Sequence, residues 1–353
     1  MKNKVLMKGN EAMAEAAIIA GCRCYFGYPI TPQNEVPAYM SKRMPEVGGV
    51  FIQSESEISA INMVFGAAAV GARVMTSSSS PGISLKQEGL SYIAGAHLPC
   101  VIANVQRAGP GLGGIGPAQG DYFQAVKGGG HGDYHMIVLA PSSVQETADL
   151  TVEAFDLADI YRIAVMILSD AVVGQTSEPV VLPSPSSKVL PKKDWILTGA
   201  KDRPPRIIRS YFTNEKEIFQ NNELLQQKYR RIKNEVTARC EEFMCDDAEV
   251  IITGYGTSGR LAKSVAVNLR KQNIKVGVLR PVFLWPFPEE RFFYYSSKGK
   301  KFLVVEMSYG QMLEDVRLSV AEKTTVEFYG TSGGYLPDED KIKDIVIRMV
   351  KNE

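Results

Sequence analysis

Short runs rich in β-branched and apolar residues recur along this chain and limit its possible folds more than any other feature. Cys24-Tyr25-Phe26-Gly27-Tyr28, Gly49-Val50-Phe51-Ile52, Ala72-Arg73-Val74-Met75-Thr76, Cys100-Val101-Ile102-Ala103-Asn104-Val105, Met136-Ile137-Val138-Leu139-Ala140 and Ala164-Val165-Met166-Ile167-Leu168-Ser169-Asp170 alternate with segments of helical spacing. Strands that read as continuous apolar runs are buried on both faces, so the pattern predicts βα units around a parallel sheet. It starts again at Ala248-Glu249-Val250-Ile251-Ile252-Thr253 and continues through Lys275–Leu279 and Lys301–Glu306. The expected fold class is α/β, with two doubly wound parallel-sheet domains over residues 1–180 and 246–353. Between them, 181–245 reads as a Pro- and Ser-rich linker followed by a connecting helix over Asn214 to Glu242. That helix interleaves acids with bases, which marks a solvated face rather than a nucleic-acid patch.

Composition narrows the function classes. A chain of 353 residues with 45% apolar and 22% charged residues can bury two cores, and a net charge of +1 gives no general attraction to nucleic acid or anionic membrane. The N-terminal stretch Met1 to Gly9 has too short an apolar run for a signal peptide. No window approaches the roughly 18 apolar residues of a membrane span, and a cytoplasmic location is expected. Cys22, Cys24, Cys100, Cys240 and Cys245 are scattered without C-x-x-C spacing, which fits reduced packing residues rather than disulfides or metal ligands.

One helix carries chemistry in an unusual place. Gln53-Ser54-Glu55-Ser56-Glu57-Ile58-Ser59-Ala60 opens a segment in which Ala60, Ala67, Ala68 and Gly71 allow close packing. Its two carboxylates have two readings: acids complementing a helix N-terminus, or one acid held in a water-poor site to hydrogen-bond a cofactor. Upstream, the prolines of Tyr28-Pro29-Ile30-Thr31-Pro32 make a rigid loop that displays Thr31. Downstream, the loop Ser77-Ser78-Ser79-Ser80-Pro81-Gly82 leads to a helix expected over Leu85 to Ala94. Arg107 ends a strand, where open α/β sheets bind ligands, with a surface ion pair as the alternative. The glycine-rich run 109–116 and Gln119-Gly120-Asp121-Tyr122-Phe123 read as a mobile active-site loop, and His131 is a candidate proton carrier. Gly254-Tyr255-Gly256-Thr257-Ser258-Gly259 has the G-x-G-x-x-G form, but the next strand ends Leu279-Arg280-Pro281 without the acid that holds ribose hydroxyls. A plain tight turn is expected there, with an NADP site as the alternative.

Several of these segments together resemble a known family. They are Gly9-Asn10-Glu11-Ala12, Tyr28-Pro29-Ile30-Thr31-Pro32, the glutamate helix, Ser80-Pro81-Gly82, Gln106-Arg107-Ala108-Gly109-Pro110-Gly111 and the Gly254 turn. The family is that of the 2-oxoacid:ferredoxin oxidoreductase α subunits. The resemblance implies a pyrimidine-binding thiamine diphosphate fold followed by a transketolase C-terminal-like domain. It places the catalytic glutamate nine residues before a helix glycine, which from Gly66 reaches Glu57 and leaves Glu55 out of register. That glutamate hydrogen-bonds the cofactor's aminopyrimidine and favours its imino tautomer, while the cofactor supplies the ylid and electron sink. Further implications are Thr31 near the reacting centre, Arg107 on the substrate carboxylate, and Tyr28, Pro29, Ile30, Ser80, Pro81 and Gly82 around the cofactor.

The family's Gly-Asp-Gly diphosphate and magnesium motif and its iron–sulfur cysteine runs are missing from this sequence. The chain is therefore expected to be inactive alone. The resemblance implies a β subunit that brings the diphosphate-binding half with Mg2+, a γ subunit, and a ferredoxin-like subunit carrying iron–sulfur clusters. The assembled enzyme would use a 2-oxoacid and CoA and reduce ferredoxin. The loops at Gln119–Phe123 and Gly128–His135 resemble the 2-oxoisovalerate type more than the 2-oxoglutarate type, which would add a basic residue for the distal carboxylate. The 2-oxoglutarate type stays open, as does a non-catalytic scaffold subunit.

Overall fold

The structure is a computed structural model describing residues 4–351, so Met1, Lys2 and Asn3 of the N-terminal stretch lie outside the described residues. The first repeat of apolar runs forms β1 (Val5–Lys8), α1 (Gly9–Ile19), β2 (Cys24–Gly27), α2 (Glu35–Glu46), β3 (Val50–Gln53), α3 (Glu57–Ala69) and β4 (Val74–Ser78). It continues with α4 (Ser80–Gly95), β5 (Cys100–Gln106), β6 (Ile137–Leu139), α5 (Val144–Tyr161), β7 (Ala164–Asp170), α6 (Ala171–Gln175) and β8 (Ser177–Val180). After α7 (Glu215–Glu235) come β9 (Cys240–Phe243), β10 (Val250–Thr253), α8 (Gly256–Arg270), β11 (Val276–Pro281) and β12 (Phe283–Trp285). The chain closes with α9 (Glu289–Ser297), β13 (Lys301–Glu306), α10 (Gln311–Val320), β14 (Val326–Gly330) and α11 (Glu339–Lys351). Among the described residues no helix is long and apolar enough to cross a membrane.

The larger sheet runs β12-β6-β7-β5-β4-β2-β3 and is parallel from β3 through β6. Its central strands β5 and β7 are buried along their whole length, as continuous apolar runs require. The second sheet runs β14-β13-β10-β11-β9, parallel except for β9. Two edges depart from the expected all-parallel pattern. β12 sits in the Pro-bounded segment after β11, yet pairs antiparallel with β6 of the other sheet. β9 takes up the end of the expected connecting helix, which stops at Glu235 with Val236 extended, and β9 pairs with β11, where Glu241 and Glu242 find ion partners. Glu241 meets Arg280 at 2.8 Å and also Lys263, and Glu242 meets Arg291 at 2.6 Å.

The connecting helix α7 is not solvated all round. Leu225, Tyr229 and Ile232 recur at helical spacing and are buried. Tyr229 sets its ring edge-on to His135 and Trp285, whose own rings stack 4.7 Å apart. A polar latch holds the same helix to the loop after α4. Lys228 Nζ donates to His97 Nδ1 at 2.7 Å and to the Arg162 carbonyl at 2.8 Å, and His97 Nε2 faces Asn221 Oδ1 at 3.1 Å. An ammonium on Nδ1 requires a neutral imidazole, with its proton on Nε2 facing Asn221. Burial and the Lys228 charge push His97 down to about 4. Because the folded value lies below the usual 6.5, the unfolded chain takes up the proton first, and the contribution of His97 to the latch is full above pH 6.5 and lost as pH falls toward 4. Tryptophan-fluorescence melts are expected to show Tm falling through that window. His97→Asn, which tolerates the left-handed backbone at φ 52, is expected to flatten the dependence.

The two sheets are locked together at the G-x-G-x-x-G turn. Asp170, buried at the end of β7, accepts from the backbone N–H of Thr257 at 3.0 Å and from its hydroxyl at 2.6 Å, while capping α6 through Val172 and Val173. A Cβ on Gly256 would come within 2.7 Å of that carboxylate, so φ +52 and the close approach both call for glycine. Gln119 fills the rest of the turn, donating to the Tyr255 carbonyl at 2.7 Å and accepting from Ser258 at 2.8 Å and from Met307 N–H at 3.0 Å. The anion site that a dinucleotide would use at the N-terminus of α8 is thus taken by the protein's own carboxylate.

Candidate active site

Thr31, Glu57, Ser80, Gly82 and Arg107 come from separate stretches and meet at the carboxyl ends of β2, β3, β4 and β5, where an open parallel sheet offers a ligand cleft. The register of the strands brings them there. β2 delivers the Tyr28–Pro32 loop, β3 leads through Ser54 into α3, β4 leads through Ser79 into α4, and Arg107 is the first residue past β5.

Ser56 caps α3 by accepting the Ser59 N–H at 3.2 Å, which leaves Glu57 in the first helical position with its carboxylate free of capping work. Glu57 is buried at 5% exposure and makes no hydrogen bond to any described residue. Glu55 points out to solvent and accepts from the Ser56 hydroxyl at 2.9 Å, with its carboxyl held low by Ser59 and Ser56. The two acids of the opening stretch are therefore separated by environment. Gly82 gives Glu57 its space, since a Cβ there would stand 2.5 Å from Oε1 of Glu57. The Ser78 hydroxyl, also crowding that position, is buried without a partner. The loop expected over Ser77–Gly82 is shorter than its composition indicates. β4 runs through Ser78 and α4 starts at Ser80 with proline in its first turn, where a missing N–H costs nothing.

Arg107 has an equally unusual setting. Its guanidinium is buried, donates to the carbonyls of Thr31 at 3.0 Å and Leu112 at 2.9 Å, leaves Nε without a partner, and has no carboxylate within ion-pair distance among the described residues. A buried, unpaired guanidinium is costly unless an anion completes it. The glycine-rich run folds over it, with Gly111 and Gly113 at positive φ and Leu112 and Ile115 exposed. Ser80 links the two halves: its hydroxyl accepts from Arg107 N–H at 3.0 Å and donates to Asp121 at 2.6 Å, and Asp121 also accepts from Asn104 at 2.9 Å. Burial pushes the Asp121 carboxyl up against these donors.

Tyr28, Pro29 and Ile30 line the approach to Thr31, half-buried or exposed, without a hydrogen bond to the other candidates among the described residues; the Tyr28 carbonyl accepts from Gln33 at 3.3 Å. Pro81 lies between Ser80 and Gly82 on α4. His131 is exposed, its carbonyl accepting from Ser91 and its ring edge-on to Tyr92, apart from the Glu57–Arg107 cluster. The Gln119–Phe123 segment is anchored rather than free, through Gln119 and through Phe123 N–H and the Gly120 carbonyl on Gln311. Lys86, fully buried one helical turn beyond Gly82, was not legible as a site residue, because a lysine's default place is solvent; its place on the Gly82–Gly89 stripe is the one signal that could have found it.

A thiamine-type cofactor fits what the chain itself presents. A buried carboxylate and a buried hydroxyl lack partners around a glycine-made gap, and an anion-seeking guanidinium stands beside them. Comparison with known proteins agrees. Residues 15–244 match the model of the pyruvate flavodoxin/ferredoxin oxidoreductase thiamine diphosphate-binding domain, and residues 248–342 match that of pyruvate:ferredoxin oxidoreductase core domain II. The chain belongs to the 2-oxoacid:ferredoxin oxidoreductase family, as one subunit of such an oxidoreductase. It is 52% identical to the ketoisovalerate oxidoreductase subunit VorB of Methanothermobacter thermautotrophicus, over 94% of each chain. It is 38% identical to the 2-oxoglutarate synthase subunit KorA of Archaeoglobus fulgidus, over 92% of this chain and 94% of that one. Among solved structures, the 2-oxoglutarate:ferredoxin oxidoreductase from Magnetococcus marinus, with 2-oxoglutarate, coenzyme A and succinyl-CoA bound, superposes with a TM-score of 0.85 at 25% identity, covering 99% of this chain and 66% of that one.

Proposed function

We propose that this chain holds the pyrimidine end of thiamine diphosphate in a heteromeric enzyme that oxidatively decarboxylates a branched-chain 2-oxoacid, 2-oxoisovalerate, with CoA and ferredoxin. The products are the acyl-CoA, CO2 and reduced ferredoxin. The observation that carries the reading is two buried charged groups without an ion-pair partner among the described residues at one cleft: the Glu57 carboxylate, and the Arg107 guanidinium, whose Nε is left without an acceptor. A scaffold role would leave both without a purpose.

Bound thiamine diphosphate supplies a carbon nucleophile and an electron sink. Glu57 accepts and returns a proton at its carboxylate, and Gly82 and Ser78 fix where that carboxylate stands. Arg107 binds the substrate carboxylate through the N–H groups its two carbonyl partners leave unused, and Thr31, whose carbonyl orients that guanidinium, sits beside the reacting centre. Tyr28, Pro29, Ile30, Ser80, Pro81 and Gly82 enclose the cofactor, and the loop over Arg107 excludes water. In this reading residues 1–180 form the pyrimidine-binding domain, 181–245 a strap and connecting helix, and 246–353 the transketolase C-terminal-like domain. A β subunit brings the diphosphate-binding half with Mg2+, a γ subunit and an iron–sulfur subunit complete the assembly, and the complex works in the cytoplasm.

Substrate choice rests on the bases that follow Arg107 in the chain and on the relatives. Lys127, the next base along the loop after Arg107, is tied to Asp315 and so is not free for a distal carboxylate. The greater identity to the ketoisovalerate enzyme subunit than to the 2-oxoglutarate synthase subunit points the same way. Titrating the reconstituted complex with both acids is expected to give the larger kcat/KM for 2-oxoisovalerate. A larger value for 2-oxoglutarate would overturn the assignment.

A further inference from the structure

The seam between α3 and α4 carries an ionisable group that the reaction as described does not use. Gly82, Lys86 and Gly89 lie on one stripe of α4 at helical spacing, and this stripe faces α3. Gly82 admits the Glu57 carboxylate and Gly89 admits Ile61, so the helices approach closely on either side of the lysine. Lys86 between them has no solvent exposure. Its Nζ donates to Thr76 Oγ1 at 2.8 Å. Thr76 and Ser78 project from the same face of β4, because side chains alternate along a strand. A polar file therefore runs under the cleft from Lys86 through Thr76 to the unpartnered Ser78 hydroxyl beside Glu57.

Resting on the role given above to Glu57, we propose that Lys86 is its buried countercharge, a positioning residue that keeps the Glu57 side chain a carboxylate and holds it toward the cleft without touching substrate or cofactor.

A buried ammonium persists only where charge or hydrogen bonds compensate its lost hydration. Lys86 has one hydroxyl acceptor and no carboxylate within ion-pair distance among the described residues. Burial lowers it to about 7, and the attraction that opposes this comes from Glu57. The neighbouring elements supply no competitor. Glu57 is the one titratable residue on α3, and β4 has none. On β5, Cys100 lies at the opposite end of the strand, and on β7 Asp170 is consumed by Thr257 and α6. Asp121, past β5, is bonded to Ser80 and Asn104; Glu88 on α4 is exposed and bonded to Tyr92; and on α7 Lys228 is held by His97 and Arg162. Among the described residues Glu57 is the carboxylate whose charge acts on Lys86, across the seam rather than through an ion-pair contact. A cation close to a carboxylate favours its ionised form, and removing the cation raises the pH at which the carboxylate protonates.

The test follows the Glu57 carboxyl band by infrared difference spectroscopy in the reconstituted complex before thiamine diphosphate is added, with Glu57→Gln as the blank. Lys86→Met, which preserves volume, is expected to raise the protonation midpoint by about one pH unit or more. Lys86→Arg, which stays cationic, is expected to leave it near the wild-type value. Lys86→Gln, which removes the charge but can still donate toward Thr76, is expected to raise it as well and stands in for Lys86→Met should that variant fail to assemble. A midpoint unmoved in these neutralising variants overturns the proposal. Turnover of Glu57→Gln is a separate reading: an inactive Glu57→Gln with an unmoved midpoint sinks the Lys86 role alone, while an active one sinks the role of Glu57 in the reaction.

Discussion

Replacing Glu57 by glutamine is expected to leave the subunit folded and joined to its partners while turnover falls by about 10²–10⁴-fold, the range for losing a positioned proton-transfer group. Glutamine has the same size, and the α3 cap belongs to Ser56, so neither packing nor helix initiation changes. What disappears is an oxygen that can take up and return a proton. Gly82, with no Cβ, leaves the amide the same room as the carboxylate. Glu55→Gln is the matched control, because Glu55 is exposed and serves only the neighbouring Ser56 and Ser59, and its activity is expected to match the parent. Ferredoxin reduction by the reconstituted complex, with assembly checked by size exclusion, reads both variants. Near-normal turnover in Glu57→Gln would remove the acid from the mechanism.

The second large effect is on stability. Asp170→Ala is expected to cost about 3–5 kcal/mol, because it strips charge-assisted partners from the Thr257 N–H and hydroxyl and from the N–H groups of Val172 and Val173, all in a buried setting. Two helices lose their N-terminal anchor at once. Asp170→Asn is expected to lie between the two, since its amide oxygen can still accept from α6 or from Thr257 but its NH2 cannot serve the other. Denaturant unfolding monitored by tryptophan fluorescence measures the difference, and a change below about 0.5 kcal/mol, the scale of an ordinary surface substitution, would show that the remaining contacts of the turn, Gln119 among them, hold it without Asp170.

How much of this was legible in the sequence depends on which force fixed each feature. The strands β4, β5 and β7 read directly, because burial on both faces leaves an uninterrupted apolar signature. The family resemblance singles out Glu57 through its register with Gly66, and the structure buries that acid while leaving Glu55 exposed. β9 and β12 were not legible. They span Cys240–Phe243 and Phe283–Trp285, too short to carry a period, and their conformation is decided by the partner strand each one meets. The glycine-rich turn at Gly254 was legible as a turn, but its plug, Asp170, is distant in sequence. Local chemistry shows a vacancy at a helix N-terminus and cannot name what fills it.

β12 also bears on how the chain is made. The larger sheet is complete only when Phe283 and Trp285 pair with Leu139 and Val138. On the ribosome, an N-terminal half emerging first would present β6 as an open edge until synthesis had passed Trp285, and the loop to be closed then is long. The three-residue length of β6 keeps that edge too short to template pairing with a neighbouring chain. Maturation of the first half thus waits on the second, and a gene split between the two sheets would yield a product with its sheet unfinished.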